Sequence, residues 1–224
     1  MRGILLFIAL LGAAASSPAE RVYLPSMGLA DVTLPITSMR EARTARTLLQ
    51  KYDFSCGSAA LATLLTHHYD YSVTEQVVFE QMYANGDQKK IHTEGFSLLD
   101  MKRFLAAHGF QADGFQQPLD KLNEARVPAI VLINENGYHH FVVVKGLQAD
   151  RVLIGDPANG TRAMPRKAFE AGWKNGLLFV IHNRMDQARF NLAADWRVAP
   201  RAPFASGLNR DGGVGLPKLG PGEF

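Results

Sequence analysis

Cys56 is the single cysteine of this 224-residue chain. It stands just ahead of a stretch in which Ala59, Ala60, Leu61, Leu64 and Leu65 recur at helical spacing, so the sequence predicts a helix that opens at the cysteine and ends near His67-His68. A helix N-terminus offers unpaired N–H groups and a partial positive charge, and both favour thiolate over thiol. The thiolate is the nucleophile that acyl transfer needs. Gly57 and Ser58 are small, which is expected to leave a substrate carbonyl room to approach. Gln50 precedes the cysteine by six residues. Its amide NH2, together with the Cys56 backbone N–H, would make a two-donor oxyanion site. Taken alone, this segment fits a small buried cysteine and a surface amide equally well.

A thiol nucleophile also needs a base that a third group holds in one tautomer. His140 heads Phe141-Val-Val-Val144, and Asp156 ends Arg151-Val-Leu-Ile-Gly-Asp156. Both segments have the β-branched character of strands. A short link folded about Gln148 pairs them antiparallel and sets His140 opposite Asp156. Directly opposed residues have Cβ atoms about 4.5–5.5 Å apart, close enough for a carboxylate to take an imidazole N–H. His139 is the rival base, but strand alternation turns it to the other face. The structural alternative is that Asp156-Pro157 only starts a turn and His140 is a satisfied core residue. A helix-starting Cys, an upstream Gln, and a later His and Asp set to pair together follow the Cys-His-Asp logic of papain-like enzymes.

The elements that must position these groups can be outlined. Thr74 to Met82 and Ser97 to His108 are expected helices, the second with Leu98, Met101, Phe104 and Leu105 on its apolar side and Gly109 at its C-terminal end. Strands are expected at Pro128–Ile133, His139–Val144, Arg151–Asp156 and Gly176–His182. Asn134-Glu-Asn-Gly137 is turn chemistry, and a short helix follows Pro165. Helices first and antiparallel strands afterwards define an α+β fold.

Composition sets the outer bounds. With 47% hydrophobic and 20% charged residues the chain can bury a real core. A formal charge of +3 gives no reason to expect nucleic acid; the cluster Arg40, Arg43 and Arg46 is expected to be a solvated helix face. His67, His68, His92 and His108 lack the spacing of a zinc site, so neither metal nor cofactor is expected. Met1-Arg2, the apolar run Ile4–Ala14 and the small residues after it predict a signal peptide over residues 1–19, cut after Ala15 or Ala19, and a periplasmic mature protein. The peptidase-like domain is expected over residues 20–197. Ten of the last 26 residues are Gly or Pro, so residues 198–224 are expected to form a disordered tail, which carries a Gly212-Gly213 pair.

The stretch Gln50-Lys-Tyr-Asp-Phe-Ser-Cys56-Gly-Ser-Ala-Ala-Leu resembles the Gln-x5-Cys-Gly-x-Ala signature of C39 peptidases, the double-glycine leader peptidases of bacteriocin exporters. Thr93 to Lys102 is similar to the family's middle helix, and His140-Phe-Val-Val-Val and Gly155-Asp156-Pro157 to its His and Asp motifs. The resemblance spans about residues 30–183. It implies a papain-like fold with an N-terminal helical lobe and a C-terminal antiparallel sheet. It also implies Cys56, His140, Asp156 and Gln50 as catalytic residues, and cleavage after Gly-Gly. The chain departs from the family in having Ser55 where Asp often precedes the Cys, and in lacking an attached transporter. It therefore resembles the free-standing exported C39-like group found in functional-amyloid secretion systems. That resemblance implies an exported amyloid subunit or leader as substrate, with secretion-channel components as further partners. A non-catalytic module that binds a secretion substrate is the alternative.

Overall fold

The computed structural model describes residues 21–24, 32–35, 37–173 and 175–200. The expected signal peptide and the Gly212-Gly213 pair lie outside them. The chain divides into two compact units, residues 1–39 and 40–224. In the first, strands β1 (Arg21–Leu24) and β2 (Val32–Pro35) pair antiparallel, with Val22 opposite Leu34.

The second unit opens with a helical series. It runs α1 (Met39–Thr44), α2 (Cys56–His68), α3 (Glu75–Asn85), α4 (Gln88–Glu94) and α5 (Leu98–Ala107). Local chemistry sets their ends. Thr74 accepts from the Val77 N–H at the start of α3, Asp87 accepts from Lys89 and Lys90 at α4, and Ser97 and Asp100 form a capping box at α5. Gly109, at φ 77°, turns the chain away after α5. The capped helix α4 was not anticipated from the apolar pattern, because only Ile91 of its residues is buried.

There follow β3 (Ala112–Gln116), α6 (Asp120–Ala125), β4 (Ala129–Glu135), β5 (Tyr138–Leu147), β6 (Arg151–Asp156), β7 (Gly160–Pro165), α7 (Arg166–Gly172), β8 (Leu177–Ile181) and α8 (Ala193–Trp196). Six strands form one antiparallel sheet in the order β3-β8-β4-β5-β6-β7. The α+β architecture is as the sequence implies. β3, β7 and α6 were not expected; β7 begins at Gly160, whose φ of 78° follows the Asp156 turn, and four of its six residues are incompletely buried.

The sheet separates two apolar cores. Phe141, Val143, Ile130 and Phe179 face α2, packing with Leu61, Leu64, Met101 and Leu105. Val142, Val144, Val131 and Ile154 face the opposite side, against Leu122 and Phe169. Helix α2 is buried nearly all round, from Cys56 to Leu65, so it is held by packing on every side rather than by one apolar stripe. No helix among the described residues is long and apolar enough to cross a membrane.

Candidate active site

Helix α2 begins at Cys56, as the spacing predicts. The turn that delivers it is closed by Ser55, whose hydroxyl accepts from the Tyr52 N–H at 3.1 Å and donates to the Tyr52 carbonyl at 3.0 Å. Ser58 is fully buried, with Oγ 2.9 Å from both the Ser55 carbonyl and Glu75 Oε1. Gly57 does not open the approach for substrate. A Cβ there would lie 2.9 Å from Met101 Cε and 3.0 Å from Phe96 Cβ, so glycine lets α2 press against the helical lobe.

The sulfur sits where the N–H of Phe141, the residue after His140, reaches it. Burial pushes the Cys56 thiol up. The N–H groups of Phe141, Gly57 and Cys56 pull the other way without overcoming burial, and the charge of Asp156 adds to the rise. The expected lowering by the helix N-terminus is therefore outweighed by desolvation. A thiolate here must be made by handing the proton to a base.

His140 is 4% exposed. Its Nε2 lies 3.7 Å from Asp156 Oδ1 and 4.0 Å from Glu135 Oε2. The pairing that brings this about differs from the expected register. The β5–β6 turn is centred beyond Gln148, whose N–H donates to the Arg151 carbonyl, and an irregularity between Val144 and Gly146 shifts the ladder again. Val143 then faces Gly155, and the imidazole meets Asp156 diagonally instead of across a pair. His139 is exposed and its Nε2 lies 2.9 Å from Asn134 Nδ2, so it takes no part in this cluster.

Asp156 is fully buried in a turn of its own making. It accepts from the Ala158 N–H at 2.8 Å, from Asn159 Nδ2 at 3.0 Å and from Arg162 Nε at 2.9 Å. Burial raises its carboxyl, but His140, Asn159 and Ala158 together hold it well below the usual carboxylate range. It stays ionised and fixed.

Gln50 reaches the same place by backbone and side chain. Its N–H donates to the Pro157 carbonyl at 2.9 Å, which ties it to the Asp156 turn. Its Nε2 lies 3.5 Å from the Asp53 carbonyl, and its Oε1 is buried with no partner among the described residues. The amide is thus near the thiol loop, where it also bonds the Tyr138 side chain.

Three neighbours were not anticipated. Tyr138 stacks on His140 with ring centroids 5.2 Å apart, and its hydroxyl donates to the Asp53 carbonyl at 3.2 Å. Glu135 and Arg162 form the far wall, joined at 2.5 Å. The Asn136-Gly137 dipeptide carried the signal for two of them. Both residues have positive φ, 53° and 89°, as a tight two-residue hairpin requires. That turn sets Glu135 opposite Tyr138 and Ile133 opposite His140. Nothing in the sequence pattern pointed to Arg162.

A family model described as the peptidase C39 family matches residues 45–185. A protein of Pseudomonas fluorescens named "Probable functional amyloid protease FapD" is 41% identical over 181 residues, 81% of this chain and 80% of that one. The chain belongs to the peptidase C39 family. It is a cysteine peptidase. The peptidase domain of Streptococcus ComA, described as a bifunctional ABC transporter of a quorum-sensing pathway, shares the fold with a TM-score of 0.51 at 22% identity. The match covers 61% of this chain and 96% of that domain. A double-glycine-motif protease from an AMS/PCAT transporter, solved with its leader peptide, does so with a TM-score of 0.50 at 23% identity, over 60% of this chain and 89% of that one. C39 membership and the papain-like α+β fold are as the motifs imply. The C39 match ends before α8, so residues 186–200 of this peptidase are an addition to the matched stretch.

Proposed function

We propose that this C39 peptidase cuts an exported polypeptide after a Gly-Gly pair, in the periplasm, with Cys56 as nucleophile, His140 as base, Asp156 as orienter and Gln50 as oxyanion donor. The observation that carries the proposal is the convergence of a helix-starting thiol beside Phe141 with an imidazole whose Nε2 faces an ionised, locked carboxylate. Nε2 is given to Asp156, which leaves Nδ1 to receive the thiol proton. The sulfur then attacks the scissile carbonyl and forms an S–C bond. His140 returns the proton to the departing amine as the C–N bond breaks. Water cleaves the thioester with His140 again as base, giving the acid and restoring the thiol. The Gln50 amide and the Cys56 N–H stabilise the oxyanion in both steps.

The Tyr138 hydroxyl bonds the Asp53 carbonyl in the loop that leads to the thiol, and residues without a Cβ next to the cut would let the substrate backbone approach there. Beside Phe141 lies an apolar cavity of about 420 Å³, lined by Leu98, Leu132, Trp173 and Leu177, suited to an apolar side chain of the substrate upstream. The relative named for functional amyloid supports an amyloid subunit, or its leader, as that substrate. The basic start and apolar run at the N-terminus support export.

The test is cleavage of a Gly-Gly peptide, and of exported amyloid subunits, under reducing conditions. Cys56→Ser is expected to lower the rate by several powers of ten, the scale for losing one member of a catalytic unit. His140→Ala should do the same and His139→Ala should not. Wild-type activity in Cys56→Ser would refute the mechanism. A wild type that cuts nothing while still binding the subunit would make the chain a binding module.

A further inference from the structure

Besides Asp156, a second carboxylate stands at His140, and a guanidinium holds both. Glu135 Oε2 is 4.0 Å from His140 Nε2, only 0.3 Å farther than Asp156 Oδ1 at 3.7 Å. Arg162 places Nε 2.9 Å from Asp156 Oδ2 and its terminal nitrogen 2.5 Å from Glu135 Oε2. The three charges arrive on three strands: Glu135 ends β4, Asp156 ends β6, and Arg162 lies in β7 opposite Ile154. Among the described residues, neither ring nitrogen of His140 has a hydrogen-bond partner. Distance alone therefore does not decide which carboxylate takes the Nε2 proton.

We infer that Arg162 is a positioning residue that assigns His140 to Asp156, and that Glu135 is its counterweight, so that the imidazole meets a net charge of one carboxylate rather than two. The charges facing the ring are Asp156 and Glu135, both negative, and Arg162, positive. Tyr138 stacks on the ring, and Cys56 receives the N–H of the neighbouring Phe141. The sum over the three charged groups is minus one. Removing Arg162 makes it minus two and frees Glu135 to compete for Nε2. Removing the charge of Glu135 makes it zero. The first change favours the imidazolium and the second disfavours it. Arg162 is well suited to this task because its planar fork binds two carboxylates at once, each in fixed geometry. Burial disfavours its charge, but bonds from Glu135 and Asp156 more than compensate, and it remains a cation.

The inference rests on the catalytic reading of Cys56 and His140, and the test separates the two. The readout is the rate of Cys56 alkylation by iodoacetamide as a function of pH, which needs no substrate. The inflection that disappears in His140→Ala is the one to follow. It is expected to move to higher pH by about one unit in Arg162→Gln, the scale for a charge at 4–6 Å, and to lower pH in Glu135→Gln. It should stay in place in Arg162→Lys, and should return towards the wild-type position in the double variant. A merely structural role would lower rates without moving the inflection in opposite directions. If Arg162→Gln does not fold, the Glu135→Gln arm still decides. Should both single variants leave the inflection unmoved, Arg162 and Glu135 have no such role. Should His140→Ala leave the whole profile unchanged, the pairing of His140 with Cys56 falls instead.

Discussion

Tyr138 shows what one residue adds to the site. It joins the strand that carries His140 to the loop that leads to Cys56, stacking on His140 and bonding the Asp53 carbonyl. Tyr138→Phe keeps the ring and loses a half-exposed hydrogen bond worth about 1 kcal/mol, so kcat/KM should fall by less than about tenfold. Tyr138→Ala also loses the stacking, worth about 0.5–1.5 kcal/mol, and lets the imidazole turn, so its loss should be larger and fall mainly on kcat. Equal kinetics for the two variants would show that the ring does nothing for His140. At this scale the sequence was most informative about residues with one chemical use. Cys56, His140 and Asp156 stood out by type and by place in their elements. Tyr138, Glu135 and Arg162 did not, since an exposed tyrosine and a surface ion pair have many bland roles. Their meaning lies in distances that only the sheet creates.

At the scale of elements, starts and periods were legible and registers were not. Thr74, Ser97 and the spacing after Cys56 mark helix starts because capping and amphipathic packing are local. The β5–β6 register depends on a turn with no Asn-Gly signal and on an irregularity beside Lys145. A one-residue shift of that kind has no pattern to announce it. Gly57 is a second case. Its type suggested open access, whereas its place is a close approach between α2 and the Phe96–Met101 wall. Gly57→Ala should therefore cost about 1–3 kcal/mol by overpacking, read as a lowered midpoint in urea unfolding. Met101 Cε can swing aside but Phe96 Cβ cannot, so the double variant Gly57→Ala/Met101→Ala should recover only part of the loss. An unchanged midpoint for Gly57→Ala would mean that α2 has slack beside Cys56.

At the scale of the molecule, the second compact unit is tied together by a buried polar knot. Lys145 is fully buried, with Nζ 2.7 Å from Asp195 Oδ1 and 2.6 Å from the Arg46 carbonyl. Burial brings its pKa down to about 8, against the opposing pull of Asp195. Asp195 also binds Arg46 at 2.9 Å, so Arg46 belongs to this knot and not to a solvated face. Thus α8, beyond the C39 match, closes on β5 and on the segment that leads to Gln50. His68 lies fully buried beside these charges, with Nδ1 2.5 Å from the Arg189 carbonyl and Nε2 without a partner among the described residues. Burial first, and then Lys145, lower its pKa from 6.5 to about 3, and burial likewise lowers that of half-buried His67 to about 4. The folded value lies below the unfolded one, so above pH 6.5 these groups cost nothing. As pH falls through 6.5 the unfolded chain takes up protons that the folded chain refuses, and stability declines. The slope for His68 is about 1.4 kcal/mol per pH unit, continuing towards pH 3, with a smaller share from His67 because solvent screens it. Asp156 and Asp195 are both held below the usual carboxylate range and add their losses only as pH falls below the ordinary aspartate value of 3.8. The window from pH 6.5 to 4.5 therefore reports on the histidines. His68→Asn keeps a donor for the Arg189 carbonyl and removes the titration. It should be less stable at pH 7 yet lose stability more slowly between pH 6.5 and 4.5, by close to one proton's worth of slope. Urea unfolding at four or five pH values would measure this, and parallel curves for wild type and variant would show that His68 takes up its proton in the fold as readily as in the open chain.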